Sequence, residues 1–397
     1  MMKRKAGAGS ILYQVDSARN LPAVVKVCFD EEISESCMKE ALKKTLKVYP
    51  LANAGVEFSD GNVWLIDNHQ PLELLHQKQC IRPGSDKLNK HWTCVNYDGN
   101  ALYVIVSHAI TDGRGMLWFT ETLTYYYCCL KYQKNYAPAD DARTEIGGTY
   151  PDDETDYWEM DYSDVLPVPK AEYQKVGYVL PENKNKKNEK KSYVKLTVPE
   201  SAFMEFVRKN GTSPSVMMYL LFAMAVYQTR PEAEEPIVAR LTVDARKNLD
   251  IPHSFFNCSL GAHFSVNRQM ISNTEFSELC QKLRKSLKAQ NTPEYLRCMA
   301  KELVEEKALL PDVKPTVSVS YMGKVPFGEY QEHITDFLMA EEEFHKINAY
   351  AYHHEFHLIL NFGSGSSMYG AAMADILKQN GIPVQQSEMI FLEDAQD

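Results

Sequence analysis

The sequence predicts an α/β protein of two lobes, each with a mixed, largely antiparallel sheet flanked by helices. Three observations lead there. Apolar segments with a period of two alternate with segments of helical period in both halves of the chain. Asp-Gly-Asn turns at 60–62 and 98–100 join neighbouring strand-like runs and favour antiparallel pairing. Between the halves lies a composition that cannot build a core, acidic from Asp140 to Asp164 and punctuated by Pro167 and Pro169, then Lys-rich from Asn183 to Lys191. The expected division is 1–180 for the N-terminal lobe, 181–192 for a Lys-rich linker and 193–397 for the C-terminal lobe.

The first strand is expected over Leu21 to Phe29, closed by Asp30-Glu31-Glu32. Ser34 then offers a helix cap, and Cys37, Ala41, Leu42, Thr45, Leu46 and Val48 recur at near-helical spacing up to Tyr49, where Pro50 stops the helix. Two hairpins follow, Ala54–Phe58 with Val63–Ile66 and Trp92–Tyr97 with Leu102–Val106. Met116 to Leu130 repeats apolar residues at helical spacing, and its aromatic density reads as a packing face. The second half opens with a strand over Tyr193–Val198 and a helix from Pro199-Glu200 to Lys209. Next comes Ser213-Pro214, starting a helix over Val216–Thr229 that is apolar nearly all round and must be buried. Pro236–Val243 and Thr316–Met322 read as strands, Thr274–Gln290 as an amphipathic helix, Ala349–Phe362 as one long strand, and Ser367–Asn380 as a final helix closed by Gly381.

Composition excludes several function classes. Of 397 residues 44% are hydrophobic and 24% charged, an ordinary globular balance. The net charge of −10 speaks against a nucleic-acid surface, which needs clustered positive charge. No apolar run reaches the length of a membrane span. Nine cysteines without a C-x-x-C pair read as reduced thiols, so a cytoplasmic location is expected.

The chemistry centres on Ala101 to Gly115. Here a β-branched run ends at His108, and Asp112-Gly113 opens a turn into the next helix. A histidine where a buried strand gives out can have one ring nitrogen fixed locally while the other works as a general base. Asp112 is the natural organiser of that turn. The H-x-x-x-D-G spacing is of moderate specificity, and its place at a strand end raises it.

The chain resembles the chloramphenicol acetyltransferase-like superfamily of acyl-thioester-dependent acyltransferases, which includes alcohol acyltransferases, polyketide-associated acyltransferases and condensation domains. The resemblance rests on Tyr49-Pro50-Leu51, His108-Ala109-Ile110-Thr111-Asp112-Gly113, Thr242-Val243-Asp244-Ala245-Arg246, Phe255-Phe256-Asn257 and Ser320-Tyr321-Met322-Gly323, spread over nearly the whole chain. It implies two similar lobes meeting along a tunnel with His108 at its centre. By it His108 and Asp112 form the catalytic motif, with His108 as general base and Asp112 structural, supported by Gly113 and by Arg246, which matches the arginine that pairs with this aspartate in condensation domains. Asn257 and Ser320 match positions that line the tunnel or stabilise an oxyanion. Ser107 stands where many relatives carry a second histidine, and the D-F-G-W-G motif of the plant enzymes is absent, which argues against a plant-type enzyme or an ordinary peptide-forming condensation domain.

The resemblance further implies acyl-CoA as cosubstrate with no permanently bound cofactor, a small-molecule acyl donor and acceptor, and a monomer. Alternatives are an acyl carrier protein as donor in a condensation-type reaction, or a binding protein that kept the fold without turnover. No metal is expected. His353, Glu355 and His357 share one face of the expected long strand, but a polar strand face with hydrogen-bonded histidines explains them better than a metal site. Gly363-Ser364-Gly365 lacks the G-K-[ST] ending of a phosphate loop, and no serine has a G-x-S-x-G context.

Overall fold

A computed structural model describes residues 3–5, 23–59, 62–78, 81, 83–140, 142–147, 150, 152–182, 192–306, 312–325, 327–341 and 345–391. The Lys-rich run at 183–191 lies outside the described residues. Along the first part run β1 (Lys3–Lys5), β2 (Ala23–Phe29), α1 (Glu35–Val48), β3 (Gly55–Ser59), β4 (Asn62–Ile66), β5 (Leu74–His76), β6 (Thr93–Asp98), β7 (Ala101–Val106) and α2 (Gly113–Lys131). There follow β8 (Ser192–Pro199), α3 (Glu200–Lys209), α4 (Pro214–Thr229), β9 (Ile237–Asp244), β10 (Ser259–Val266), α5 (Arg268–Asn273), α6 (Phe276–Gln290) and α7 (Pro293–Glu306). The chain continues through β11 (Val317–Lys324), β12 (Ile334–Glu341), β13 (Lys346–Tyr352), β14 (Glu355–Asn361), α8 (Ser366–Gln379), β15 (Gln385–Gln386) and β16 (Ile390–Phe391).

Two mixed sheets carry the fold. The first has the order β12-β2-β7-β6-β5, antiparallel except for β5 against β6. The second runs β10-β9-β11-β13-β14-β8-β15, with β11 parallel to both neighbours, and a small third sheet joins β1, β4 and β3. Each large sheet has its own core. α4 lies inside the second, with every residue from Val216 to Ala223 fully buried, as a helix apolar on all sides requires.

The lobes interpenetrate more than the order of the chain suggests. β12, from the second half, completes the first sheet along β2, with Ile334 opposite Phe29 and Glu341 opposite Ala23. β11 shows how the sheets face each other: Val317 and Val319 sit in the second core, whereas Met322 packs in the first. Alternation along the strand therefore turns Ser320 toward the first lobe. Tyr350 and Tyr352 of β13 do likewise, their hydroxyls donating to the carbonyls of Phe337 and Ile334 at 2.8 and 2.9 Å.

Two local expectations need correction. Ala349–Phe362 is not one strand but the hairpin β13–β14, turned at His353 and His354 with φ of +48° and +64°. Histidine tolerates this left-handed region better than most residues, so the turn needed no glycine. His353 is thereby taken off the face it was expected to share with Glu355 and His357: it bonds the carbonyl of Ile334 at 3.2 Å, while His357 lies 3.2 Å from the hydroxyl of Thr197 and 3.7 Å from the Glu355 carboxylate. Ser34 does occupy the cap position of α1, but its side chain accepts no hydrogen bond from the helix.

Candidate active site

β7 ends where the amide of Ser107 donates to the carbonyl of Trp92 at 2.9 Å. The chain then folds on itself, the amides of Ile110 and Thr111 both donating to the carbonyl of Ser107, at 2.9 and 3.1 Å. This tight turn brings the His108 ring back onto its own loop, with Nδ1 2.9 Å from the carbonyl oxygen of Thr111. A carbonyl can only accept, so Nδ1 carries the proton and the neutral ring holds its lone pair on Nε2.

Asp112 caps α2 from an extended conformation, Oδ1 accepting from the amides of Arg114 and Gly115 at 3.0 and 3.1 Å. The same carboxylate reaches the second lobe. Oδ2 accepts from the amide of Cys258 at 2.9 Å, and the guanidinium of Arg246 meets both oxygens at 2.9 Å. Arg246 sits just past the end of β9 and is 2% exposed. Its other donors reach the carbonyls of Ser254 and Phe256 at 2.8 Å and the Asp244 carboxylate at 3.0 Å, so every N–H of the fork has an acceptor. The Trp118 ring covers the guanidinium at 5.1 Å. Burial alone would raise the pKa of Asp112, but the Arg246 charge, its hydrogen bonds and the amides of Cys258 and Gly115 hold the carboxyl below its ordinary value.

The other predicted residues lie around this junction. The Asn257 side-chain amide donates to the carbonyl of His108 at 3.3 Å, and its oxygen accepts from the amide of Ser259 at 3.1 Å. Ser320 is 4% exposed on β11, and its hydroxyl makes only a long contact, 3.7 Å, to the Met322 sulfur among the described residues. Gly113 leaves room for Met322 and Met339, whose methyl groups would stand 3.0 Å from an added Cβ. Thus His108, Asp112, Arg246 and Asn257 meet in one hydrogen-bonded unit that spans both lobes. Ser320 faces that side of the junction without bonding to the unit.

Several participants were not anticipated. The buried hydroxyl of Thr111 donates to the carbonyl of Phe255 in the second lobe. Gly115 is tighter than Gly113: a Cβ there would lie 1.9 Å from the Thr111 hydroxyl and 3.2 Å from the Phe255 carbonyl. Beside the Asp112–Arg246 pair opens a cavity of about 390 Å³ lined by Arg114, Trp118, Arg143, Asp244, Arg246 and His253, among others. Arg143 is held there by Asp153 and the carbonyl of His253, its guanidinium packed on Trp118 and Tyr150 at 4.7 and 4.4 Å. The contacts to Phe255 and His253 join segments more than 100 residues apart, so the local sequence does not mark them.

No protein-family model matches the sequence, and no curated protein does. Solved structures do match over nearly the whole chain. TRI101 of F. sporotrichioides, crystallised with coenzyme A and T-2, is 11% identical with a TM-score of 0.64, the match covering 97% of this chain and 100% of that one. Polyketide synthase associated protein 5 from Mycobacterium tuberculosis is 14% identical with a TM-score of 0.63, covering 95% and 98%. A starter condensation domain of rhizomide synthetase, in complex with C8-CoA and Leu-SNAC, is 13% identical with a TM-score of 0.61, covering 95% and 93%. Identities this low establish architecture alone, and the architecture is the two-lobed, chloramphenicol acetyltransferase-like fold of the CoA-dependent acyltransferases and condensation domains.

Proposed function

We propose that this protein is an acyltransferase that moves an acyl group from a thioester, most simply acyl-CoA, to the hydroxyl or amine of a small acceptor. The observation that carries the reading is the His108 ring, its Nδ1–H held by the Thr111 carbonyl at 2.9 Å on a turn locked to the second lobe. That arrangement leaves Nε2 as the basic nitrogen. In the fold shared with structures crystallised with coenzyme A, this is the chemistry a thioester transfer needs.

The reaction runs in one site without an acyl-enzyme. Nε2 takes the acceptor's proton as its oxygen or nitrogen attacks the thioester carbonyl, and the tetrahedral intermediate collapses with loss of the thiolate, which recovers that proton from the imidazolium. General-base assistance of this kind is worth ~10²–10⁴-fold. Between the two oxyanion candidates, Ser320 is better suited than Asn257. Its hydroxyl has only the weak sulfur contact, whereas the Asn257 amide is engaged by His108 and Ser259. Asp112 and Arg246 hold the turn and take no proton.

The test is acceptor-dependent thiol release from a panel of acyl-CoAs with mixed alcohols and amines, the products identified by mass spectrometry. The expected result is release that requires both substrates and disappears in His108→Ala. If no acyl-CoA and acceptor pair gives product with the native protein, the reading is wrong.

A further inference from the structure

We propose that Thr111 is a positioning residue that sets the tautomer of His108 from the second lobe. The inference rests on the acyltransferase reading only for its consequence in turnover, because the hydrogen bonds are independent of any substrate. Besides its amide bond to the Ser107 carbonyl, Thr111 makes two bonds in opposite directions. Its carbonyl accepts the Nδ1–H of His108 at 2.9 Å, and its hydroxyl donates to the carbonyl of Phe255. The first bond decides which ring nitrogen is basic. The second decides where the Thr111 peptide sits.

Phe255 is a fixed anchor. Its amide donates to the carbonyl of Asp153 at 3.0 Å, its ring packs on Tyr49 at 4.9 Å, and it lies between Ser254 and Phe256, whose carbonyls both accept from Arg246. Thr111 is fully buried, so neither of its bonds is exchanged with water in the folded state. Gly115 belongs to the same device, because any side chain there would take the space of the Thr111 hydroxyl. A relay of two bonds therefore runs from the second-lobe loop to the ring of the base. Without the hydroxyl the Phe255 carbonyl loses its donor, the Thr111 carbonyl is free to turn, and the ring can exchange its Nδ1–H for Nε2–H. In that form Nε2 holds a proton and cannot accept one from a substrate.

The experiment compares native protein with Thr111→Val, Thr111→Ser and Thr111→Ala, each labelled with ¹⁵N-histidine. The His108 ring signals are assigned by their loss in His108→Gln, since the chain has 11 histidines. Native protein and Thr111→Ser should show a pyrrole-like Nδ1 and a pyridine-like Nε2. In Thr111→Val that pattern should be averaged or reversed, with kcat down ~10-fold and both Michaelis constants nearly unchanged, as expected of a misplaced base. Should the valine variant fail to fold, Thr111→Ala, which adds no bulk, gives the same readout. A His108 ring that keeps its pyrrole-like Nδ1 in the valine or alanine variant overturns the proposal, whatever the rate does. A tautomer that shifts in a protein that transfers no acyl group upholds the positioning role and removes the acyltransferase reading instead.

Discussion

Replacing Asp112 with Asn changes one atom and removes one charge, yet it should be among the most damaging substitutions in the chain. The asparagine oxygen can still accept from the amides of Arg114 and Gly115, which keeps the cap of α2. Its NH₂ group then stands where Oδ2 now accepts from the Cys258 amide and the Arg246 guanidinium, so three donors face one another. Both partners are nearly inaccessible, at 2% exposure each, and water cannot repair the mismatch. Breaking a buried pair from one side costs ~3–5 kcal/mol, because the surviving charge stays desolvated. At ~2–4 °C per kcal/mol for a lobe-sized unit, Asp112→Asn and Arg246→Ala should each lower Tm by about 6–20 °C. The pH dependence has a definite sign. The carboxyl is held below its ordinary 3.8, so its contribution is complete above that value and is lost as the pH falls through the lower folded-state value. The gap in Tm between native protein and Asp112→Asn should therefore close below about pH 4. Calorimetry across pH 3–8, with kcat followed alongside, measures both effects. Melting points within ~1 °C of native in both variants would refute the argument, since they would mean that the pair is hydrated in solution.

His108→Ala should fold normally and turn over ~10²-fold or more slowly, checked by steady-state kinetics beside a thermal melt. Gly115→Ala should lose both stability and rate, since the new methyl group meets the Thr111 hydroxyl and a backbone carbonyl, whereas Gly113→Ala meets only methionine methyl groups that can move aside and should cost under ~1 kcal/mol by denaturant titration. Asp156→Asn should raise stability. Burial pushes this carboxyl up to about 6, with Oδ1 accepting from the Trp158 amide and Oδ2 without a hydrogen-bond partner among the described residues. An acid with a raised folded-state pKa destabilises above its unfolded value, so the gain should be absent below about pH 4, grow up to about pH 6 and hold at ~1–3 kcal/mol beyond it, and a gain equal at pH 3 and pH 8 would contradict that account.

Those features of the fold that depend on neighbours in sequence were legible in it. The Asp98-Gly99-Asn100 turn and the all-round apolar helix α4 each follow from local chemistry, and the structure has them where the pattern puts them. The His353-His354 turn was not legible, because His-His-Glu carries none of the Gly, Asn, Asp or Pro that ordinarily marks a hairpin, and histidines supply the left-handed residues. Nor was β12, whose partner strand lies at the other end of the chain. The site divides in the same way. His108 stands out as a histidine ending a strand. Arg246, Asn257 and Ser320 came into view only through resemblance, since no spacing links them to it. Thr111 was passed over inside the motif itself, because its hydroxyl bonds a carbonyl 144 residues away.

The placement of β12 bears on how the protein is made. The edge of β2 that it covers, with Val25 and Val27 among its residues, leaves the ribosome some 300 residues before its partner does. At ~5–20 residues per second, that edge waits roughly 15–60 s with its hydrogen-bonding groups unpaired. An apolar strand in that condition is a template for pairing with other chains. The first lobe therefore carries an open sheet edge throughout synthesis of the second. A chain that ends between α2 and Ile334 should expose this sheet edge and aggregate, and a peptide spanning β12 supplied in trans should raise its solubility.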